Sequence, residues 1–269
     1  MRRMMILLAV VLAGCAPSRS GTLGPAPTAA PPPSSIVDSP SATPVKTITI
    51  QVWFSRDGKV FPTKRTAPYT LETSFLALTQ MTTGPSAPEV AAGVSDALPI
   101  GITFELKGIA NGIAAVRFPA RFYADGAAAV RLRQAQVVFT LTQYPSVSRV
   151  DFQTGANPVG RTDFADLVPA IVVLAPVIGQ HVSSPLTLTG TADTREATVN
   201  ARLLDSAGRE IATRFAIATC GSGCRGTYSM TLTYQGCVEQ EARLEVFQIS
   251  GEDGSRRDVV AIPVVLSAC

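Results

Sequence analysis

Between residues 186 and 266 apolar side chains recur at every second position in short runs separated by turns, and this spacing constrains the chain more than any other feature. Tyr228, Met230, Leu232 and Tyr234 alternate with Thr227, Ser229, Thr231 and Thr233, and Leu186, Leu188 and Gly190 alternate with Thr187, Thr189 and Thr191. Successive side chains of a strand point to opposite faces, so each run predicts one dry and one wet side. Seven runs fit strands: 171–174, 186–192, 198–204, 210–218, 227–234, 242–249 and 259–266, with reversals at 205–208 and 251–254. So many short strands within about 100 residues predict two packed sheets.

Upstream the pattern is mixed. Ile48, Ile50, Val52 and Phe54 alternate with Thr47, Thr49, Gln51 and Trp53 and predict an opening, half-buried strand. Thr70 can cap a helix that carries Leu71, Phe75, Leu78 and Met81 at helical spacing, and Gly84-Pro85 stops it. Asn111-Gly112 predicts a hairpin between 102–106 and 113–118, because that dipeptide tolerates positive φ. Residues 127–144 lack Gly and Pro, and Val130, Val137, Leu141 and Tyr144 share a flank; Pro145 then precedes a strand over 147–153. The order β-α-β-β-α-β predicts an α+β domain over 46–154 with helices on one sheet face. Gly155, Asn157-Pro158, Gly160 and Pro169 mark an interdomain join over 155–168, with the all-β domain spanning 169–269.

The beginning of the chain predicts export. Arg2 and Arg3 precede an apolar segment over 4–12, too short to span a bilayer, and nowhere do 18 apolar residues run together. Leu12-Ala13-Gly14-Cys15 resembles the bacterial lipobox, which implies a signal peptide over 1–14 and acylation of Cys15. Two or three acyl chains hold a protein on a bilayer where one does so marginally. The expected membrane partner is therefore reached through lipid on Cys15, at the outer face of the cytoplasmic membrane or at the outer membrane. Residues 16–45 hold eight prolines among Ala, Ser, Thr and Gly, with no aromatic residue, and cannot bury a core. Such a linker reaches roughly 90 Å if fully extended as polyproline. Without Arg2 and Arg3 the chain has 21 basic against 20 acidic residues, so nothing favours nucleic acid.

Residues 46–153 resemble the GerMN domain, first named from spore germination proteins and found in many bacterial lipoproteins. The resemblance is carried by Val52-Trp53-Phe54, Pro62 with Arg65, Thr83-Gly84-Pro85, Leu98-Pro99, Gly112 with Val116, and the run from Ala135 to Thr142 leading to Pro145 and Val150. The last hundred residues resemble the immunoglobulin-like domain that accompanies GerMN domains. There the carriers are Ser184-Pro185-Leu186, Gly190-Thr191-Ala192, the Cys220 to Gly226 segment, Glu245-Val246-Phe247 and Asp253-Gly254-Ser255; Cys237 and Cys269 fall outside the pattern. Both resemblances imply binding within envelope or sporulation complexes rather than a reaction. They do not imply that the organism sporulates.

Four cysteines besides Cys15 lie in the second domain, and export favours disulfides. Cys220 with Cys224 and Cys237 with Cys269 is the preferred pairing among three. The rival is a four-thiolate zinc site, which lacks a second compact ligand pair. The sole histidine, His181, precedes Ser183 and Ser184 but is read as part of a turn, without the orienting third group that a nucleophile and base require. The carboxylate pairs Asp163 with Asp166, Glu239 with Glu241 and Glu252 with Asp253 all fall in turns or joins, where acids are ordinarily solvated. No catalytic, cofactor or metal residue is therefore assigned. The expected function is a lipid-anchored, extracytoplasmic, non-enzymatic scaffold binding an envelope protein or peptidoglycan. A wall-active hydrolase or a glycan- or small-ligand-binding lipoprotein is the alternative. Trp53, Phe54 and Tyr69 are the candidate contact surface, with plain packing as the competing role for Trp53.

Overall fold

The computed structural model describes residues 46–236 and 238–268. The expected signal peptide, linker, Cys15 acylation and Cys237–Cys269 pairing lie outside the described residues.

Strands β1 (Thr47–Arg56) and β2 (Lys59–Pro68) form an antiparallel hairpin in unbroken register from Thr47↔Pro68 to Arg56↔Lys59. Its two-residue turn is Asp57-Gly58, with φ of 54° and 71°, the conformation that Asp-Gly accepts readily and that matches strand twist. The sequence reading lacks β2: Pro62, Pro68 and three basic residues mask the strand, although Asp57-Gly58 was its signal. Next come α1 (Thr73–Thr82), α2 (Ala87–Ala91), β3 (Glu105–Ala110), β4 (Ile113–Arg117), α3 (Ala127–Leu141) and β5 (Arg149–Asp151). Asn111-Gly112 turns β3 into β4 as expected, and β5 runs parallel to β4.

These strands form two separate sheets, β1-β2 and β3-β4-β5, and not one sheet with helices on a single face. The reason lies in α3. The Trp53 N–H donates to Thr140 Oγ1 (3.1 Å), and Gln136 Nε2 donates to the Trp53 carbonyl (3.2 Å). Just beyond the helix, Gln143 Oε1 accepts from the Gln51 N–H (2.9 Å) while its Nε2 donates to the Gln51 carbonyl (2.6 Å). Farther along, Ser55 exchanges backbone bonds with Ser95. Side chains of α3 thus stand where a neighbouring strand would be, satisfying an edge that would otherwise be open. Residues 135–141 are all buried, so this half of the helix is interior on every side rather than along the predicted flank.

The second half contains β6 (Ile171–Ala175), β7 (His181–Val182), β8 (Leu186–Ala192), β9 (Thr198–Leu204), β10 (Glu210–Ile217), β11 (Gly226–Leu232), β12 (Gln240–Ile249) and β13 (Arg256–Leu266). They make a five-stranded sheet, β10-β9-β12-β13-β7, and a three-stranded sheet, β11-β8-β6. Leu188 and Leu232 from one sheet and Leu203, Leu244 and Ile262 from the other are fully buried. All seven expected strands are present, and His181 lies in β7, beside Val265, rather than in a turn. The Tyr228 hydroxyl donates to the Val172 carbonyl (3.1 Å), and its burial pushes its pKa up. A Cβ on Gly190 would collide with that carbonyl and that hydroxyl, which explains glycine inside a strand.

The join is ordered. Val150 and Val159 exchange backbone bonds, Phe164 is buried, and Arg131 Nη2 of α3 holds the Asp163 carbonyl (2.6 Å). Arg56 Nη1 reaches the Ala261 carbonyl of β13 (3.1 Å) with its guanidinium 4.3 Å from the Phe61 ring centroid, and Lys59 Nζ donates to the Asp166 carbonyl. Residues Val45–Cys269 consequently form one compact unit.

Candidate functional site

Of the three aromatic residues expected to form a contact surface, two are internal. Trp53 is 3% exposed, its ring 4.8 Å from that of Phe139, and Phe54 is fully buried. The strand is covered on both faces over residues 52–55, so the predicted wet side of β1 is exposed at Thr47 and Thr49 but closed at Trp53, and neither ring is available to a partner. Tyr69 is exposed, with Lys46 Nζ 4.0 Å above its ring.

Cys220 and Cys224 are disulfide-bonded with Cα atoms 5.7 Å apart. Their loop holds neighbouring backbone: the Ser222 N–H donates to the Thr194 carbonyl (3.0 Å) and the Gly223 N–H to Asp193 Oδ1 (2.9 Å). Arg225, directly after Cys224, donates to the Pro169 carbonyl (2.7 Å).

Four of the six singled-out carboxylates have other occupations. Asp163 accepts the Gly160 N–H (2.7 Å), and Asp166 is paired with Arg131, whose hydrogen bonds hold its carboxyl below the usual range. Glu252 meets Arg257 at 3.1 Å, and the Ser255 hydroxyl and N–H bring Asp253 down to about 2. Among the described residues no three His, Cys, Asp or Glu side chains gather as a metal site.

The surface that does gather is apolar. Register places Phe215 of β10, Asn200 of β9 and Phe247 of β12 in one row across the five-stranded sheet. Alternation then puts Ile217, Ile249 and Val259 on the same outer face. Phe215 is 66% exposed, Ile217 61%, Ile249 52% and Val259 46%, while Phe247 is buried with the Arg256 guanidinium 5.2 Å from its ring centroid. On β10 Ala212 and Ala216 pack toward the core with Ile211, while the larger Phe215 and Ile217 at the far end face solvent, an inversion of the usual pattern there. That inversion was the readable signal: alternation located a strand over 210–218 without assigning its faces.

A second apolar surface surrounds a shallow groove of about 540 Å³ beside α1 and β3, where Leu71, Phe75 and Ile109 are exposed. Leu71 and Phe75 had been placed on the buried flank of the helix; only Leu78 and Met81 of that set are buried. A third concavity, about 660 Å³, lies between Pro88, Ala91 and Ala92 of the first half and Ile178, Leu204 and Val264 of the second.

Charge divides the outer sheet face. Toward one end Arg202 binds Glu245 at 2.7 Å and lies 3.8 Å from Glu210, and Arg243 meets Glu245 at 3.1 Å. Beside the apolar side chains, Arg256 has no ion-pair partner among the described residues, and Arg214, opposite Ala201, lies on the other face of β10.

Residues 51–159 match a family described as sporulation and spore germination, called Germane, and residues 170–255 match Gmad2, the immunoglobulin-like domain of bacterial spore germination. Among solved structures, the first GerMN domain of the sporulation protein GerM from Bacillus subtilis is 20% identical, with 42% of this chain and 95% of that chain covered and a TM-score of 0.35. The tandem GerMN domains of the same protein are 14% identical over 70% of this chain and 62% of that chain, also with a TM-score of 0.35. No curated protein matches the chain.

Proposed function

From a chain that joins a Germane domain to a Gmad2 immunoglobulin-like domain, we propose a lipid-anchored, non-enzymatic scaffold of the bacterial envelope that acts by binding another envelope protein. The observation that carries this reading is the group of exposed apolar side chains on the outer sheet face, Phe215 and Ile217 on one side of β9 and Ile249 and Val259 on the other, since large apolar residues exposed together on one face mark interaction sites. The anchor rests on the lipobox resemblance at Cys15. Two supports add to it: Asp163, Asp166, Glu252 and Asp253 are engaged in turns and ion pairs, and Arg56 bonds from one half to the other.

The test combines fractionation with crosslinking in living cells. The wild type is expected in the detergent phase, crosslinked to a defined envelope protein, and the Cys15→Ala variant in the aqueous phase. Retention of that variant in the membrane fraction removes the anchor. Recovery of no protein partner from any surface position removes the scaffold, and turnover of purified peptidoglycan abolished by an Asp or Glu substitution replaces it with a hydrolase.

A further inference from the structure

We infer that the apolar patch around the groove between α1 and β3 rests on the bilayer surface, with Leu71 and Phe75 entering the boundary between lipid headgroups and acyl chains. This rests on the anchored reading above and names a second contact of the tethered body with the membrane.

The patch is assembled from two elements. Leu71, 84% exposed, stands in the turn between β2 and α1, and Phe75 follows on the helix at 48%. Leu106 and Ile109 of β3 line the same groove, and Ile109 is exposed as well. An apolar set carried by a helix and its entry turn is an arrangement that enters the headgroup boundary of a membrane.

What selects lipid is the place where the chain outside the described residues ends. The body begins at Lys46, whose carbonyl accepts the Tyr69 N–H (2.9 Å), and Tyr69 lies two residues before Leu71. The Lys46 ammonium lies 4.0 Å from the ring centroid of exposed Tyr69. A ring with a polar tip, and a lysine whose stem follows apolar surface while its head stays in water, both suit the membrane–water boundary. The patch thus adjoins the residue through which a tether would pull. With acyl chains on Cys15, the linker over 16–45 confines that residue to within roughly 90 Å of the lipid. Such confinement raises the effective concentration, so a contact too weak to recruit a free protein is populated in the anchored one.

Charge gives a protein partner little to select. Glu105 is paired with Lys107 and lies opposite Arg117, and Lys46 and Glu72 are of opposite sign, which leaves three basic side chains against two acidic. One net charge strengthens attraction to an anionic leaflet by roughly fivefold, so the contact is chiefly apolar.

The test uses the acylated full chain reconstituted in phosphatidylcholine vesicles whose acyl chains are brominated near the headgroup, with Leu71→Trp as the reporter. Bromine quenches an indole only on close contact, and Trp53, the sole native tryptophan, is buried and supplies a constant background. Quenching is expected for Leu71→Trp and not for Phe215→Trp, and it persists without phosphatidylglycerol. Adding Phe75→Asp or Ile109→Asp, each made separately, should cut the quenching roughly threefold or more, because a charge resists transfer from water. Phe75 also packs on Phe104, with ring centroids 5.3 Å apart, so Ile109→Asp decides the matter if the first variant unfolds. Unquenched Leu71→Trp on chains that float with the vesicles overturns this contact and leaves the anchor standing. Equal quenching at Phe215→Trp, a strict requirement for phosphatidylglycerol, or capture of an envelope protein by a photocrosslinker at Leu71 without lipid quenching also overturns it. Chains that do not float with the vesicles remove the anchor itself, and the inference falls with it.

Discussion

Glu89 is 2% exposed and accepts four hydrogen bonds: two from Arg65 (2.8 and 2.6 Å), one from the Thr63 hydroxyl and one from the Ser86 N–H (2.7 Å). Burial alone would raise its carboxyl, but these bonds outweigh burial and hold it down to about 2. A carboxyl depressed on folding contributes stability that is complete above the ordinary carboxylate range and is lost as pH falls toward about 2. Glu89→Gln is therefore expected to cost about 3 kcal/mol at neutral pH, as breaking a buried pair does. It should also reduce the loss of stability between pH 5 and 2; denaturant titrations at pH 7 and pH 3 check both. The sequence did not disclose this residue. Its spacing to Ser86 spells a helix-capping motif, but Arg65 comes from a strand that the apolar pattern did not reveal. Trp53 shows the converse: its alternation with core residues implied a wet face, and a helix distant in sequence covers that face.

At the scale of elements, local patterning found the sandwich strands, both longer helices and the Asn111-Gly112 hairpin, because each is fixed by spacing or turn chemistry within a few residues. It missed what depends on distant partners. Helix α3 was bounded within three residues at its end, yet its role as a substitute strand resides in Gln136 and Thr140, polar residues that periodicity assigns to solvent. Gln136 satisfies the Trp53 carbonyl, the Ala97 N–H (2.8 Å) and Asp96 Oδ1 (3.0 Å) together. Gln136→Leu keeps the volume and abandons three polar groups, so a loss of about 2–4 kcal/mol is expected. Thermal unfolding measures it, and a change below about 0.5 kcal/mol would show that water replaces the amide. Strand β7, only two residues long, offers no periodicity to read.

For the whole molecule, the two halves and their order were legible from the change in apolar period near residue 155, but their attachment was not. Proline and glycine marked an interdomain join without showing how it is held, and Phe164 and the Arg131 contacts fold that segment against α3. Arg56 spans from one half to the other, and hydrogen bonds from a charged group contribute about 1.5–3 kcal/mol net. A single calorimetric transition is expected for the wild type, and Arg56→Ala should lower the midpoint and split it into two components. Two resolved transitions in the wild type would mean that the halves fold independently.

The disulfide loop bears on the body in another way. Beyond β10 the chain leaves the five-stranded sheet at Ala218, which still bonds to Ala197, and joins the other sheet at Thr219, which bonds to Thr227. The covalent bridge between Cys220 and Cys224 sits at that crossing, beside the arginine that grips Pro169. The closed loop in turn bonds to Asp193 and Thr194, where the chain passes between the same two sheets from β8 to β9, so under mechanical load sliding of one layer past the other is resisted at that end first.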